Sequence, residues 1–109
     1  SNVKVPRAPG SDARTVAEIH GQRQALEGKT VVLRAKVVKS LTGILNRNWL
    51  HLQDGTGDEK AATHDLTVTT SGSAAVGEVV TVKGTLRLNR DFGSGYRYDV
   101  ILEDAVVQK

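Results

Sequence analysis

The amino-acid sequence predicts an all-β domain, a small closed or nearly closed antiparallel barrel of five strands with one N-terminal α-helix. Five segments alternate apolar and polar residues with the period of two that half-buried strands show. Gly84 interrupts the fourth segment, where it favours a bulge or a sharp bend. No crossover helices separate the strands, and the sequence shows five strand segments where a sandwich would need about seven.

The chain begins with a segment that differs from the rest in composition. Residues 1–11 contain both prolines and a Gly-Ser pair, so we expect an extended arm, with Ser1-Asn2 as the remnant of a tag. Residues 12–109 have the length of one small domain with a single core.

A helix of about three turns is predicted after the arm. Thr15 and Glu18 have the Thr-x-x-Glu spacing of a capping box, and Gly28 stands where a helix would end. The apolar residues that fall roughly on one face of this helix are Val16, Ile19 and Leu26.

The alternating segments that follow define the predicted strands: Lys29 to Lys39, Trp49 to Gln53, Asp65 to Thr70, Val79 to Leu88 and Tyr96 to Val107. The last two are predicted to pair as a hairpin across the glycine-rich loop Asn89 to Gly95. Ser40 to Arg47 is predicted to be a loop. Its large apolar residues are expected to fold back over the core, although a protein-binding patch is the alternative; they are Leu41, Ile44 and Leu45.

The second strand carries the most informative pattern, NWLHLQDGTGD. Leu50 and Leu52 point to one face, and the other face receives Trp49, His51 and Gln53. The glycines that follow predict a turn with positive φ. The single tryptophan of the chain is therefore predicted to lie on an open strand face, and the alternative is that it covers the mouth of the barrel or packs under the apolar loop.

Charge and composition exclude several classes of protein. The excess of 15 Lys and Arg over 12 Asp and Glu is mild, but the basic residues concentrate before Asn48. The absence of cysteine excludes disulfides, thiol nucleophiles and thiolate metal sites. No apolar run reaches the about 18 residues of a membrane span.

The succession GKTVVLRAKVVK, NWLHLQDGTGD, DLTVTT, VGEVVTVKGTL and DFGSGYRYDVILEDA resembles bacterial OB-fold domains of the tRNA-anticodon-binding type. It is most similar to small exported lipoproteins described as nucleic-acid-binding, and the resemblance spans about Thr15 to Val107. It implies a five-stranded Greek-key barrel and a place in the cell envelope or periplasm, held by a lipid anchor on a removed N-terminus. Because the segment between strands three and four is short here, the resemblance implies that the usual plug helix is either absent or replaced by the N-terminal helix.

The resemblance also implies a binding surface on strands two and three and on the loops that flank them. Single strands bind such surfaces by stacking bases on aromatic rings while basic side chains follow the phosphates. Carried over to this chain, the ligand-binding residues would be Trp49, His51, Gln53, Thr67 and Thr69 on the face, Arg47, Asn48, Arg90 and Phe92 at the loops, and Lys36 and Lys39 on the adjoining strand.

Other residues have simpler interpretations. Tyr96 and Tyr98 share a face with Val100 and are expected in the core or at its rim. The basic residues that alternate with apolar ones are expected on a solvated surface; they are Arg34, Lys36, Lys83 and Arg87.

Catalytic and metal-binding motifs are weak. Gly28-Lys29-Thr30 ends like a phosphate-binding loop, but Arg23 stands where that motif needs a glycine. Asp54, Thr56, Asp58 and Asp65 follow part of an EF-hand spacing, with Glu59 in place of the required glycine. The histidines have no zinc-ligand spacing, and no nucleophile motif accompanies them. We therefore predict no enzyme, no cofactor and no metal.

Two functions from different classes remain. One is weak, largely sequence-independent binding of single-stranded nucleic acid by a monomer. The other is an exported accessory domain that binds a protein, an oligosaccharide or a small ligand on the same face. A cation-dependent role of the Asp54 to Asp58 turn is a third hypothesis.

Overall fold

The computed structural model describes residues 3–109, so the expected tag remnant Ser1-Asn2 lies outside the described residues. The elements in chain order are α1 (Val16–Gly21), α2 (Arg23–Leu26), β1 (Thr30–Ile44), β2 (Arg47–Gln53), β3 (Leu66–Thr70), β4 (Val79–Asp91) and β5 (Arg97–Gln108). The prediction of a mainly β domain with five strands is confirmed. Within the described residues, no helix has the length and apolar character needed to cross a bilayer.

The five strands form one sheet that closes in a ring in the order β1-β2-β3-β5-β4. Four of the five pairings are antiparallel, but β3 and β5 run parallel, which the prediction of an antiparallel sheet did not include. The predicted β4–β5 hairpin is present. The ring leaves a single interior, and the alternating apolar residues of the strands fill it.

Strand β1 holds the ring together because it pairs with two neighbours. Its first half, up to Lys36, pairs with β4, and its second half, from Lys36 onward, pairs with β2. At the edge that β2 leaves open, Val32 forms backbone hydrogen bonds with Asp12 and Arg14 on the segment before the helices. That edge of β1 is therefore partly paired.

The N-terminal helical region is broken in two, so the prediction of a single helix of three turns is wrong. The capping box of Thr15 and Glu18 is present as predicted. The helix stops because Gly21, a poor helix former, ends α1 and Gln22 leaves helical geometry with φ −106° and ψ 16°. The three apolar side chains predicted on one face are nevertheless buried in the core of the ring.

The segment between the first two strands is a tight hairpin rather than the predicted loop. β1 continues to Ile44, and only Leu45 and Asn46 form the turn. Both have positive φ, 54° and 63°, as a two-residue type I′ turn requires. Gly43, at φ 73°, lies in the register shift of this hairpin. The expectation that Leu45 folds back over the core is wrong, because this side chain is exposed.

Gly84 lies at a bulge, as predicted, but the extra residue belongs to β5. The β4–β5 register shifts between Lys83 and Thr85, where Asp104 is inserted with φ 54°. A Cβ on Gly84 would lie 2.8 Å from the carbonyl oxygen of Glu103. The glycine is therefore required by the close approach of the opposite backbone.

Candidate functional site

Trp49 is buried, so the expectation that it faces solvent is wrong. Its side chain points to the outer face of β2 as predicted, but only 1% of its surface is exposed. Phe92, Tyr96 and Tyr98 of the β4–β5 hairpin lie against it, with ring centroids 5.2, 5.4 and 5.6 Å away. Its indole N–H donates to the carbonyl of Ile44 at 2.8 Å. The hairpin therefore covers the part of the face where a base would have stacked.

Tyr96 and Tyr98 belong to this outer aromatic cluster rather than to the core. Tyr98 is stacked on Trp49 with an interplanar angle of 28°, whereas Phe92 meets the indole edge-on at 87°. Burial, together with the neighbouring Tyr96, raises the pKa of the Tyr98 phenol, so this ring is neutral at physiological pH. Each well-oriented aromatic pair contributes about 0.5–1.5 kcal/mol beyond the area that it buries.

Phe92 connects the aromatic cluster to two arginines. The guanidinium carbons of Arg47 and Arg90 lie 5.0 and 5.1 Å from the centre of its ring. Distances below about 6 Å are those of cation–π contacts. Arg47 begins β2 and Arg90 lies near the end of β4, so three of the four predicted loop residues come together. They form one half-exposed group, which we call the Arg–Phe cluster.

Arg90 also has a partner on β5. Its Nε lies 3.3 Å from Oε2 of Glu103, whose side chain is only 10% exposed. The contact is ionic rather than a hydrogen bond, since Oε2 has no hydrogen-bond partner among the described residues. Removing Arg90 would leave a buried carboxylate without its counter-charge, which makes this arginine unsuitable for a clean binding test.

Thr67 and Thr69, predicted to contact a ligand, are buried. Thr69 accepts the backbone N–H of Asp104 at 3.1 Å, which satisfies the bulged residue of β5. The next residue, Thr70, donates its hydroxyl to the carbonyl of Ala105 at 2.6 Å. Thr69 is therefore a structural residue of the bulge, and the face at this position is closed.

His51 and Gln53 remain half-buried on the outer face, and both contact Asp65. The carboxylate oxygens of Asp65 lie 3.3 Å from Nδ1 of His51 and 3.1 Å from Nε2 of Gln53. Its backbone carbonyl lies 2.8 Å from Nε2 of His20. Burial alone would raise the pKa of Asp65, but the hydrogen bonds from His51 and Gln53, with the charges of the nearby histidines, lower it overall.

The remaining predicted residues are Asn48, whose side chain has a structural role, and two lysines on the outer face of β1. Asn48 accepts the N–H of Gly43 at 2.9 Å and donates to the carbonyl of Gly72 at 2.6 Å, so its amide is engaged in the fold. Lys36 and Lys39 lie on the outer face of β1, directly opposite Gln53 and His51. Lys39 is exposed and Lys36 is half-buried.

The Asp54 turn has a structural explanation. Asp54 is 3% exposed. Its Oδ2 accepts the N–H of Val16 at the start of α1, while its Oδ1 accepts the N–H and hydroxyl of Thr56. Across residues 3–109, no three His, Asp or Glu side chains are grouped so that they could hold a metal ion.

A small cavity lies beside this turn. It has a volume of about 170 Å³, and its lining includes Gln53, Glu59 and His64. Nδ1 of His64 is buried and has no hydrogen-bond partner among the described residues. The cavity is open to one side and its walls are mainly polar, which suits water better than an apolar ligand.

Comparisons with family models, curated proteins and solved structures found no match for this chain. The OB-fold resemblance therefore stays a prediction.

Two parts of the site were not predicted. Nothing in the sequence pattern joins Asp65 to His51, because fourteen positions separate them and only the β2–β3 register brings them together. The contact of Tyr96 and Tyr98 with Trp49 was missed for a similar reason. The hydrophobic pattern of β5 places these tyrosines on the face of Val100, and it carries no signal for where the end of the hairpin lies.

Proposed function

We propose that this chain is an OB-fold module that binds single-stranded nucleic acid weakly and with little sequence preference. Support for the fold comes from the closed ring of five strands, the β1-β2-β3-β5-β4 order and the helical segments that pack into its core. OB-folds are five-stranded Greek-key barrels that bind oligonucleotides on strands two and three and on the loops joining strands one to two and four to five.

The observation that carries the proposal is the Arg–Phe cluster. It lies where the β1–β2 turn and the β4–β5 hairpin meet, and it combines a half-exposed ring with two guanidinium groups. A base can stack on such a ring or on a guanidinium plane, while the positive charge attracts a phosphate. Trp49 packs edge-on against Phe92 and does not itself contact the ligand.

The cluster limits the affinity. One stacked base contributes about 1–3 kcal/mol, and the cluster offers one ring. The remaining free energy of binding must come from contacts to phosphates, and these contacts weaken as the salt concentration rises. Weak, salt-sensitive binding without base selection is therefore the expected behaviour.

Titration of the intrinsic fluorescence of Trp49 with oligo-dT at low and then moderate salt tests the proposal. We expect a change in emission on binding, because the indole touches Phe92, and we expect salt to abolish it. Arg47→Gln and Phe92→Leu should each weaken binding several-fold. Arg97→Gln is the matched control, since this hairpin arginine is exposed and has only a long 3.8 Å contact to Asp91.

Equal weakening by Arg97→Gln and Arg47→Gln would refute a specific role of the cluster. No binding of oligo-dT by the wild-type protein in the tens of micromolar range would refute the nucleic-acid function itself. Thermal melting of each variant separates loss of binding from loss of folding.

The covered Trp49 favours a second candidate, an exported accessory domain of the cell envelope or periplasm that binds a protein, an oligosaccharide or a small ligand. With Trp49 and Thr69 both 1% exposed, the β2–β3 face lacks the flat aromatic platform that most single-strand binders use. A failed oligo-dT titration together with a lipobox cysteine at the start of the full-length gene product would support this candidate and a lipid-anchored location.

A further inference from the structure

We propose that a row of cations on the outer face of β1 and β4 binds the phosphates of the single strand whose base stacks on the Arg–Phe cluster. The row consists of Lys83, Arg34, Lys36 and Lys39, and only the last two were among the residues predicted from the resemblance. This inference rests on the proposed function and extends it to a face that OB-folds do not use as their main binding surface.

The strand register places these cations next to one another. Arg34 lies opposite Thr81, Lys36 opposite Val79, and Lys83 opposite Val32. Side chains directly opposite in an antiparallel pair share a face, and diagonal neighbours are within reach of long side chains. Arg34, Lys36 and Lys39 are two residues apart along β1 when the bulged residue Val38 is left out of the count. Lys83 on β4 lies at the level of Val32, so successive members are about 7 Å apart along the strand direction. The row is then about 20 Å long.

The row has no directly paired carboxylate. Among residues 3–109, none of its four members has an ion pair, and the outward positions of β1 and β4 beside it hold valine and threonine but no carboxylate. Arg34 donates from Nε to the hydroxyl of Thr81 at 3.1 Å, which holds its guanidinium along the sheet. On the neighbouring strands, Glu103 of β5 is engaged by Arg90, and Asp65 is engaged by His51 and Gln53. Asp104 of β5 is exposed near the Lys83 end of the row and forms no ion pair among the described residues.

The row leads to the proposed stacking site. On the outer face of β1, Lys39 lies opposite His51, and Leu41 then lies opposite Trp49, which contacts Phe92. A chain of phosphates that follows β1 therefore arrives at the Arg–Phe cluster. Since the row itself contains no aromatic ring, it can contribute charge but no base selection, which agrees with sequence-independent binding.

The test compares the salt dependence of binding in two variants of equal net charge. Row variant Arg34→Gln/Lys36→Gln/Lys83→Gln removes three row charges. The control, Lys4→Gln/Arg23→Gln/Lys60→Gln, removes three exposed charges from other segments. The probe is a fluorescently labelled single-stranded oligo-dT of about twelve nucleotides. Anisotropy gives the binding constant at several salt concentrations.

Each neutralised phosphate on a single strand contributes about −0.7 to the slope of log K against log salt. We expect the row variant to lose about 2 units of slope and the control to keep the wild-type slope. At about 50 mM salt the row variant should bind much more weakly than the control, although the two have the same net charge. Lys83→Gln alone, which removes no hydrogen bond found in the structure, should lose about 0.7 units and guards against misfolding of the triple variant.

A row variant that keeps the wild-type slope would overturn this inference and leave the proposed function standing. Absence of oligo-dT binding by the wild-type protein would overturn the proposed function and, with it, this use of the row. Inorganic polyphosphate, which has no bases, is the second probe. Row-dependent binding of polyphosphate without binding of oligo-dT would also overturn the proposal, because the row would then serve a different polyanion.

Discussion

Asp54 joins three parts of the chain through one buried carboxylate. It follows the end of β2, accepts the N–H of Val16 at the start of α1 and fixes the turn through Thr56. We expect Asp54→Ala to lower the free energy of unfolding by about 2–4 kcal/mol, since it removes hydrogen bonds to a charged acceptor and leaves buried N–H groups unpaired. Urea denaturation followed by circular dichroism measures this change.

Asp58 provides a matched comparison at the same turn. It is exposed, and its side chain accepts only the backbone N–H of Lys60. We therefore expect Asp58→Ala to cost less than about 1 kcal/mol. Equal effects of the two substitutions would contradict the structural role of Asp54. A melting temperature of the wild-type protein that rises with calcium would revive the cation hypothesis.

Asp65 makes the stability of the protein depend on pH. Although burial opposes it, hydrogen bonds from His51 and Gln53 give the folded state a lowered pKa, so the unfolded state binds the proton more tightly. The stabilisation is then fully present above the unfolded pKa of about 3.9 and is lost as pH falls through the folded pKa. We expect the difference in free energy of unfolding between wild type and Asp65→Asn to shrink below about pH 4.

The comparison uses urea denaturation of both proteins between neutral pH and about pH 3. Asp99→Asn is the control, because Asp99 is exposed and its side chain has no hydrogen bond or ion pair among the described residues. If the difference in free energy of unfolding between wild type and Asp65→Asn stayed constant over this pH range, the lowered pKa of Asp65 would be contradicted.

Trp49 illustrates what a residue pattern can and cannot predict. Alternation correctly placed its side chain on the face opposite Leu50 and Leu52, because the period of two is a property of the strand itself. Whether that face meets water depends on a second layer, here the end of the β4–β5 hairpin. That contact is distant in sequence and leaves no local signal.

At the level of elements, two glycines predict opposite effects of the same substitution. A Cβ on Gly84 would press on the backbone of Glu103, so Gly84→Ala should destabilise by about 1–3 kcal/mol. Gly21 lies in α1, and a Cβ added there would meet no atom within 4 Å. Gly21→Ala should therefore stabilise by up to about 1 kcal/mol through its better helix propensity.

Thermal melting of both variants measures this difference in sign. A Gly84→Ala variant that melted at the wild-type temperature would contradict the close approach of the Glu103 backbone to Gly84. A drop in melting temperature for Gly21→Ala would indicate that the break between α1 and α2 needs glycine.

The ends of strands were predicted correctly where glycine marks the turn, and incorrectly where the turn is formed by residues that are not typical of turns. Gly55 and Gly57 marked the turn after β2, and both have positive φ. The β1–β2 turn instead places Leu45 and Asn46 at positive φ, a conformation in which leucine is unfavourable. Since leucine is no turn signal, the sequence indicated a longer loop with Gly43 inside it.

At the scale of the whole molecule, closure of the ring could be argued from strand count and from the bend at Gly84, but the parallel β3–β5 pair could not. That pair arises because β4 crosses to β1 before β5 returns beside β3. Such a path depends on which strands meet across long sequence separations. Alternation within a strand carries no information about its partner.

The double pairing of β1 has a consequence for amide hydrogen exchange. Opening either seam of β1, to β4 or to β2, breaks the ring and exposes the apolar interior that it encloses, so neither half of β1 is released without loss of the core. We expect the buried amides of β1 to exchange with deuterium only through global unfolding, at the free energy found by urea denaturation. Those of residues 89–98 should exchange by local fraying, so that mass spectrometry would detect a labile hairpin end on a slowly exchanging ring.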